Sequence, residues 1–277
     1  MKKTVLITGT SSGLGKACAK VFVKNGWNVV ASMRRPYREE ELTKLRDVLV
    51  TRLDVEDQLT IREAIEAGID RFGRIDVLIN NAGFGLYGPF EATARGKVME
   101  QFSVNVFGVM DVTRAMLPHF RKHRDGLIIN ISSGAGIFAL PMISPYCASK
   151  FALEGFSESL SYELAPFNIV VKIVEPGGVS TNFGKRSSDE ASQNAALADY
   201  DAFVAGANAI FAKLRAQRLA SDQDVARVIF EAATDGTTRL RYVATNDILP
   251  IVKARRETSE EKYIEFMRSQ FLPNLDS

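Results

Sequence analysis

A chain of 277 residues is long enough to bury one sizeable core and short enough to need no second, so residues 1–277 are read as one domain. The 46% hydrophobic and 25% charged fractions are ordinary for a globular enzyme, and no apolar run approaches the roughly 18 residues of a membrane span. With 35 basic against 33 acidic residues, the net charge of +2 produces no global field that would draw in nucleic acid.

The first predicted strand covers residues 4–8, and its apolar core Val5-Leu6-Ile7 stops at Thr8-Gly9, far short of a signal-peptide segment despite Lys2 and Lys3 before it. The expectation is a cytoplasmic protein. Helical spacing follows over 13–25, strands over 27–32 and 48–54, and a helix over 56–72 that carries Leu59, Ile61, Ala64, Ile65 and Ile69 on one face. Further strands are expected at 75–80, 127–131 and 169–175, separated by helices at 94–119 and 145–165. These strands are short and rich in Val, Ile and Leu throughout, as strands covered on both sides must be. Residues 181 to about 200 break the rhythm with Ser, Asp and Asn, helical composition returns over 205–219, and 240–244 reads as a seventh strand. The alternation predicts an α/β fold: a Rossmann-like, doubly wound parallel sheet of about seven strands with helices on both faces, in three layers. The stretch 181–219 is expected to be a substrate loop leading into a helical insert above the strand C-termini.

Between the first strand and its helix stands Thr8-Gly9-Thr10-Ser11-Ser12-Gly13-Leu14-Gly15. Glycines permit a tight turn and close backbone approach to a pyrophosphate, which the free N–H groups and positive end of the helix attract. Gly9, Ser11, Ser12, Gly13, Leu14 and Gly15 are therefore candidate cofactor-binding residues. The other conspicuous pattern is Tyr146-Cys-Ala-Ser-Lys150 at the head of a helix, where residues four apart share a face. A phenol titrates near 10, and an adjacent ammonium would lower that value enough to make Tyr146 a usable general acid/base.

Three residues separate Gly9 from Gly13, so the turn departs from G-x-G-x-x-G and instead resembles the T-G-x-x-x-G-x-G of the short-chain dehydrogenase/reductase family. The resemblance runs in order over about the first 180 residues and makes Tyr146 and Lys150 the family's catalytic pair. It implies that Ser133, thirteen positions before Tyr146, orients the substrate, and that Asn105 in Phe102-Ser-Val-Asn-Val-Phe-Gly108 holds a relay water where helical bonding is interrupted. Ser132 is assigned to local backbone bonding. Asp54 and Val55 resemble the adenine-contacting pair, and Asn81, Ala82 and Gly83 belong to an N-N-A-G that lies along the cofactor. For Asn81, a structural role and direct contact are equally open. Pro176, Gly177, Val179 and Thr181 resemble the P-G-x-V-x-T that faces the nicotinamide carboxamide. Lys150 and Tyr146 would also touch the cofactor, at its ribose and nicotinamide.

An NAD-selective member would carry an acid after the second strand, but the sequence there reads Ser32-Met33-Arg34-Arg35. Guanidinium groups grip a phosphate by charge-assisted forked bonds, so Arg34 favours NADP(H) over NAD(H); the alternative is a solvated basic turn. Implied activity is hydride exchange between NADP(H) and a carbonyl or alcohol. Apolar residues at 84–87 after the fourth strand, Ile137, Phe138, Leu140 and Met142 after the fifth, and Phe183 suggest a hydrophobic substrate, or else ordinary packing. Family members pair through their long helices, which implies a homodimer or homotetramer, with Phe102, Phe107, Phe151 and Phe156 available for the contact. Other readings remain: a cofactor-sensing protein without turnover, a 3-oxoacyl-carrier reductase, or another activity of the same family. No metal is expected. His119 and His123 are read as exposed histidines near a helix end, and Cys18 and Cys147 as small buried hydrophobes.

Overall fold

The computed structural model describes residues 2–179, 197–216 and 220–273. Seven parallel strands form one sheet in the order β3-β2-β1-β4-β5-β6-β7: β1 Thr4–Thr8, β2 Asn28–Met33, β3 Val48–Arg52, β4 Val77–Asn80, β5 Gly126–Ile131, β6 Ile169–Glu175 and β7 Arg241–Val243. The order reverses between β1 and β4, where Val5 pairs with Val77, while Thr8 on the other edge of β1 pairs with Ser32. A crevice at the C-terminal ends of β1 and β4 follows from this topology, because the two following segments leave in opposite directions.

Strand periodicity decides which helix each residue meets. Val5 and Ile7 of β1 enter one core with Ala17, Phe22 and Ile229, from α1 (Gly13–Lys24) and α7 (Asp222–Thr234). Leu6, between them, enters the opposite core with Ile61, Met116 and Leu160, from α2 (Gln58–Phe72), α4 (Gly108–His123) and α5 (Ser144–Leu164). Fully burying each such side chain contributes about 1.5–3 kcal/mol, which is why the helices clamp both faces. Phe22 and Trp27 meet edge to face at 5.2 Å and close the bottom of the first core. Caps define the helix starts: Asp57 accepts the N–H groups of Leu59 and Thr60 ahead of α2, and Ser221 and Asp224 form a reciprocal box ahead of α7.

Several boundaries differ from the sequence expectation. The predicted helix over 94–119 is α3 (Arg95–Phe102), a π-helical turn at Ser103–Phe107 and α4, which continues past Pro118 to His123. The helical insert begins earlier than expected, as α6 (Asp201–Ala216), and most of the polar loop before it lies outside the described residues. After β7, α8 (Leu249–Glu257) and α9 (Glu260–Phe271) were not expected from the sequence. They form a third apolar cluster with Phe138, in which Ile248, Val252, Met267 and Phe271 are buried above the strand ends. His119 is half-buried rather than exposed: its Nε2 meets the backbone of Ile75, and burial beside His123 pushes its pKa down. Cys18 and Cys147 are buried free thiols, as expected. No described helix is long and apolar enough to cross a membrane.

Candidate active site

A cleft of about 1360 Å³ opens over the C-terminal ends of β1, β4, β5 and β6 and collects most of the candidate residues. The glycine turn forms its floor. Gly9 takes φ +74°, a left-handed conformation that side chains resist, and a Cβ there would sit 2.9 Å from Ala82 Cα. Gly15 is more constrained still, since a Cβ would fall 2.5 Å from Asn81 Nδ2 and closer to the Gly9 carbonyl. The turn thus closes onto the start of α1, whose N-cap, Ser12, makes no side-chain capping bond and whose first turn holds no acid. First-turn N–H groups left uncapped by side chains suit an anion.

Asn81 supports this turn from behind. Its Nδ2 donates to the Thr8 and Gly9 carbonyls at 2.8 and 3.1 Å, and its backbone N–H bonds Thr8 Oγ1. Of the two roles open in the sequence, the structural one is present. Ala82, Gly83, Asp54 and Val55 line the cleft beside it. Asp54 bonds the start of α2: Thr60 Oγ1 accepts its N–H at 3.0 Å.

Arg34, Arg35 and Arg38 line the outer end of the cleft, after β2, and all three are exposed. Ser32 does not face it, because its hydroxyl turns into the sheet and donates to the Ile7 carbonyl at 2.9 Å. One acid does lie near, Glu39, which was not singled out in the sequence. Burial would raise its pKa, but the Leu42 and Glu41 N–H groups and Lys16, 2.9 Å away, hold it below the ordinary value. The Glu39 carboxylate is therefore satisfied away from the three arginines.

The inner end carries the candidate catalytic groups. Proline at the second position of α5 starts the helix that presents Tyr146 and Lys150. The Lys150 amine donates to the Ile131 carbonyl at 2.9 Å and stands 5.7 Å from the Tyr146 ring centroid. Ser133 caps the short turn Gly134–Gly136 by accepting the Ala135 N–H at 3.1 Å, and its hydroxyl also bonds Tyr146. Asn105 sits in the π-turn with its side chain fully buried. Its Oδ1 accepts the Phe84 N–H at 3.0 Å, while its Nδ2 donates to the Phe84 carbonyl at 2.8 Å and to Ser149 Oγ at 3.2 Å. The π-turn is the interruption of helical bonding expected there, and Asn105 uses it to tie α3 and α4 to α5. Ser132, expected to bond local backbone, instead lies beside Glu154, whose pKa burial raises.

Electrostatics depart from the sequence expectation. Burial pushes the Tyr146 phenol up to about 12 despite the Ser133 bond, and burial pushes Lys150 down to about 8 despite Glu154. An ammonium was expected to make the phenolate accessible. The amine lies over the ring face and donates to the Ile131 carbonyl, and for the phenol the loss of hydration dominates. Tyr146 is accordingly a proton-bearing acid at neutral pH.

Pro176, Gly177 and Val179 follow β6 into the cleft, and Val179 bridges to Ala220; Thr181 and Phe183 lie outside the described residues. Phe138 and Leu140 line the apolar side as expected. Phe84 and Leu86 are buried behind it, and Tyr87 donates to Asn208 Oδ1 at 2.7 Å. The remaining apolar wall comes from Ile143, Phe211, Leu214, Ile248, Ile251 and Phe271. Of the helices that supply it, α6 was misplaced and α8 and α9 were unread in the sequence; the helical period of Tyr263, Met267 and Phe271 was the available signal for α9. Among the described residues, no group of three or more His, Cys, Asp or Glu side chains could hold a metal ion.

The chain resembles known proteins over most of its length. It is 43% identical over 197 residues to a 3-ketodihydrosphingosine reductase of Bacteroides thetaiotaomicron, covering 70% of this chain and 71% of that one. A short-chain dehydrogenase from Streptomyces avermitilis superimposes with a TM-score of 0.82 at 33% identity, over 97% of each chain. ElxO with NADP bound matches at TM-score 0.73 and 28% identity over 90% of this chain and 98% of its own. A Burkholderia phymatum short chain dehydrogenase/reductase in complex with NAD matches at 0.79 and 26%, over 99% and 98%. The short chain dehydrogenase family model spans residues 3–192, from the first strand past the sixth, and on that match the chain belongs to the short-chain dehydrogenase family of oxidoreductases.

Proposed function

We propose that this protein is an NADP(H)-dependent oxidoreductase that interconverts a carbonyl and a secondary alcohol on a hydrophobic substrate, with Asn105, Ser133, Tyr146 and Lys150 as its catalytic set. The observation that carries the reading is the meeting of the Tyr146 and Ser133 hydroxyls and the Lys150 amine in the same cleft as an uncapped helix N-terminus. The cleft fits a dinucleotide, since the close approach at Gly15 and Gly9 leaves backbone rather than side chain at its floor. Gly9, Ser11, Ser12, Gly13, Leu14 and Gly15 would hold the pyrophosphate, Asp54 and Val55 the adenine, and Pro176, Gly177, Val179 and Thr181 the nicotinamide. Arg34 and its neighbours favour the additional phosphate of NADP, with Glu39 neutralised by Lys16. The solved relatives include both an NADP complex and an NAD complex, so the preference rests on the three arginines.

The nicotinamide, when bound, supplies or accepts the hydride. Tyr146, protonated at neutral pH, donates its proton to the substrate oxygen, and Ser133 hydrogen-bonds that oxygen to orient it. Lys150 would hold the ribose and, in its charged form, stabilise the phenolate left behind. Asn105 keeps the 84–105–149 junction rigid beneath them and, with water, leads a proton back to Tyr146. Alcohol oxidation follows the same path in reverse.

An apolar wall of aliphatic and phenyl groups supports a hydrophobic ketone or alcohol, and the 3-ketodihydrosphingosine reductase relative points to a long aliphatic chain within that class. Phe107 and Phe151, 53% and 42% exposed on neighbouring helices, support pairing of chains into a homodimer or homotetramer. The test is Tyr146→Phe. It should retain NADPH binding while turnover of ketones falls at least about a hundredfold, the scale of a lost general acid. Wild-type turnover by that variant refutes the assignment, and an unmodified protein that binds NADPH without reducing any ketone in a broad panel indicates a sensor instead.

A further inference from the structure

Behind the catalytic pair lies a buried ionic cluster that the proposed chemistry leaves unused. α5 continues one turn past Lys150 to Glu154, which is 7% exposed and on the same helical face. The turn that carries Ser133 packs directly onto this stretch. A Cβ on Gly136 would lie 2.7 Å from Ser132 Oγ, 3.0 Å from Glu154 Cγ and 3.2 Å from the Lys150 carbonyl oxygen, so the end of β5, the Ser133 turn and the Lys150 turn of the helix meet at Glu154.

Arg241 of β7 anchors the carboxylate. Its Nε donates to Glu154 Oε2 at 3.0 Å, its Nη2 donates to Glu158 Oε2 at 2.6 Å, and it stands 3.7 Å from Glu175 Oε1 at the end of β6. Arg256 of α8 reaches the same Glu175 oxygen at 3.4 Å. Glu175 in turn precedes Pro176, whose carbonyl accepts the Gly134 N–H at 2.8 Å. The groups facing Glu154 are therefore Lys150 and Glu158 from α5, Ser132 just after β5, Glu175 from β6, Arg241 from β7 and Arg256 from α8.

Apolar residues of equal volume would seal this junction without removing carboxylates from water, so packing alone does not account for the charges. Lys150 supplies an account. Burial pushes its amine down to about 8, within reach of neutral pH, and the nearby Glu154 charge pulls it back up. We propose that Glu154 is a positioning residue for the reaction: anchored by Arg241 one helical turn beyond Lys150, its carboxylate keeps the amine in the charged form that the proposed chemistry requires. This rests on the reading of Lys150 as the ribose-holding group. Residues four apart on a helix stand about 5–6 Å apart at Cβ, and unit charges at about that separation in an effective dielectric near 20 displace a titration by about one to two pH units.

The experiment compares the full-length wild type with Glu154→Gln, Glu154→Asp and Glu158→Gln. Two quantities are followed across the neutral to alkaline range: NADPH affinity by fluorescence titration, and ketone turnover, with circular dichroism confirming the fold. Glu154→Gln should move the alkaline limb of both profiles down by about one to two pH units. Glu154→Asp, which withdraws the charge by a methylene, should move it the same way by less. Glu158→Gln, which alters the outer Arg241 contact and the exposed Tyr162 hydrogen bond, should leave it in place. An unmoved limb in Glu154→Gln overturns the proposal, as does an equal shift in Glu158→Gln; should the glutamine variant not fold, an unmoved limb in Glu154→Asp decides against it. Lys150→Met separates the two readings, because wild-type binding and turnover in that variant would refute the role of Lys150 itself.

Discussion

Replacing Gly15 by alanine probes the floor of the cleft more directly than any catalytic substitution. The added methyl would lie 2.5 Å from Asn81 Nδ2 and closer still to the Gly9 carbonyl, against ordinary contacts of roughly 3.5–4 Å. Gly9 is backbone in a positive-φ turn, and Asn81 is held by two carbonyls, so neither can move aside cheaply. The start of α1 must retreat by about 1 Å instead. Overpacking of this kind costs about 1–3 kcal/mol of stability, or several degrees in Tm for a chain of this length. A retreat of that size also stretches charge-assisted bonds from the turn to a pyrophosphate; losing two of them at about 1.5 kcal/mol each weakens NADPH binding about a hundredfold. Calorimetric titration with NADPH and a thermal melt measure both effects. Gly96→Ala on α3, where a Cβ meets nothing within 4 Å, serves as the control and should be neutral or slightly stabilising. Wild-type affinity and melting in Gly15→Ala would refute the close-approach argument.

Arg34→Ala should raise the Michaelis constant for NADPH by about tenfold, the worth of one charge-assisted bond, with little change for NADH; equal effects on both would reject a phosphate contact. Phe120→Ala removes a fully buried ring from the α2/α4 core and should cost about 3–5 kcal/mol, read as a fall in the denaturant midpoint at unchanged slope. For Glu175, burial pushes the carboxyl up to about 7, so the native state favours its protonated form: stability is full below the ordinary glutamate range and declines as pH rises through about 7. Glu175→Gln should therefore melt higher than wild type at pH 8 and about equal to it at pH 4, whereas a constant difference across that range would contradict the linkage.

The folding pattern was legible where short-range physics determines it. Runs such as Val5-Leu6-Ile7 can only be buried on both faces, the glycine turn needs positive φ within three residues of a helix start, and Tyr146 and Lys150 share a face by helical geometry alone. A local pattern also explains the errors. The apolar period alone does not register the π-turn, because Ser103–Phe107 keeps the helical composition of its neighbours; the interruption at Asn105 was expected only from the family resemblance. Helices α7 to α9 were readable from their apolar period but follow no motif.

Residue chemistry in this protein was thus set by sequence, while the ionisation of that chemistry was set by tertiary structure. That a phenol and an amine lie together follows from four residues of α5; that the phenol stays protonated and the amine is pushed toward neutrality follows from burial and from Ile131 on another strand. Glu154 meets Arg241 across 87 positions, and Glu175 meets Arg256 across 81, contacts that arise only when β6, β7, α5 and α8 assemble. The same holds for the apolar wall, since Phe211 meets the Tyr87 ring and Phe271 joins the cluster of Phe138, both far from them in sequence. Short-range patterns encode the groups available, but desolvation and long-range charge depend on what the folded chain places around them.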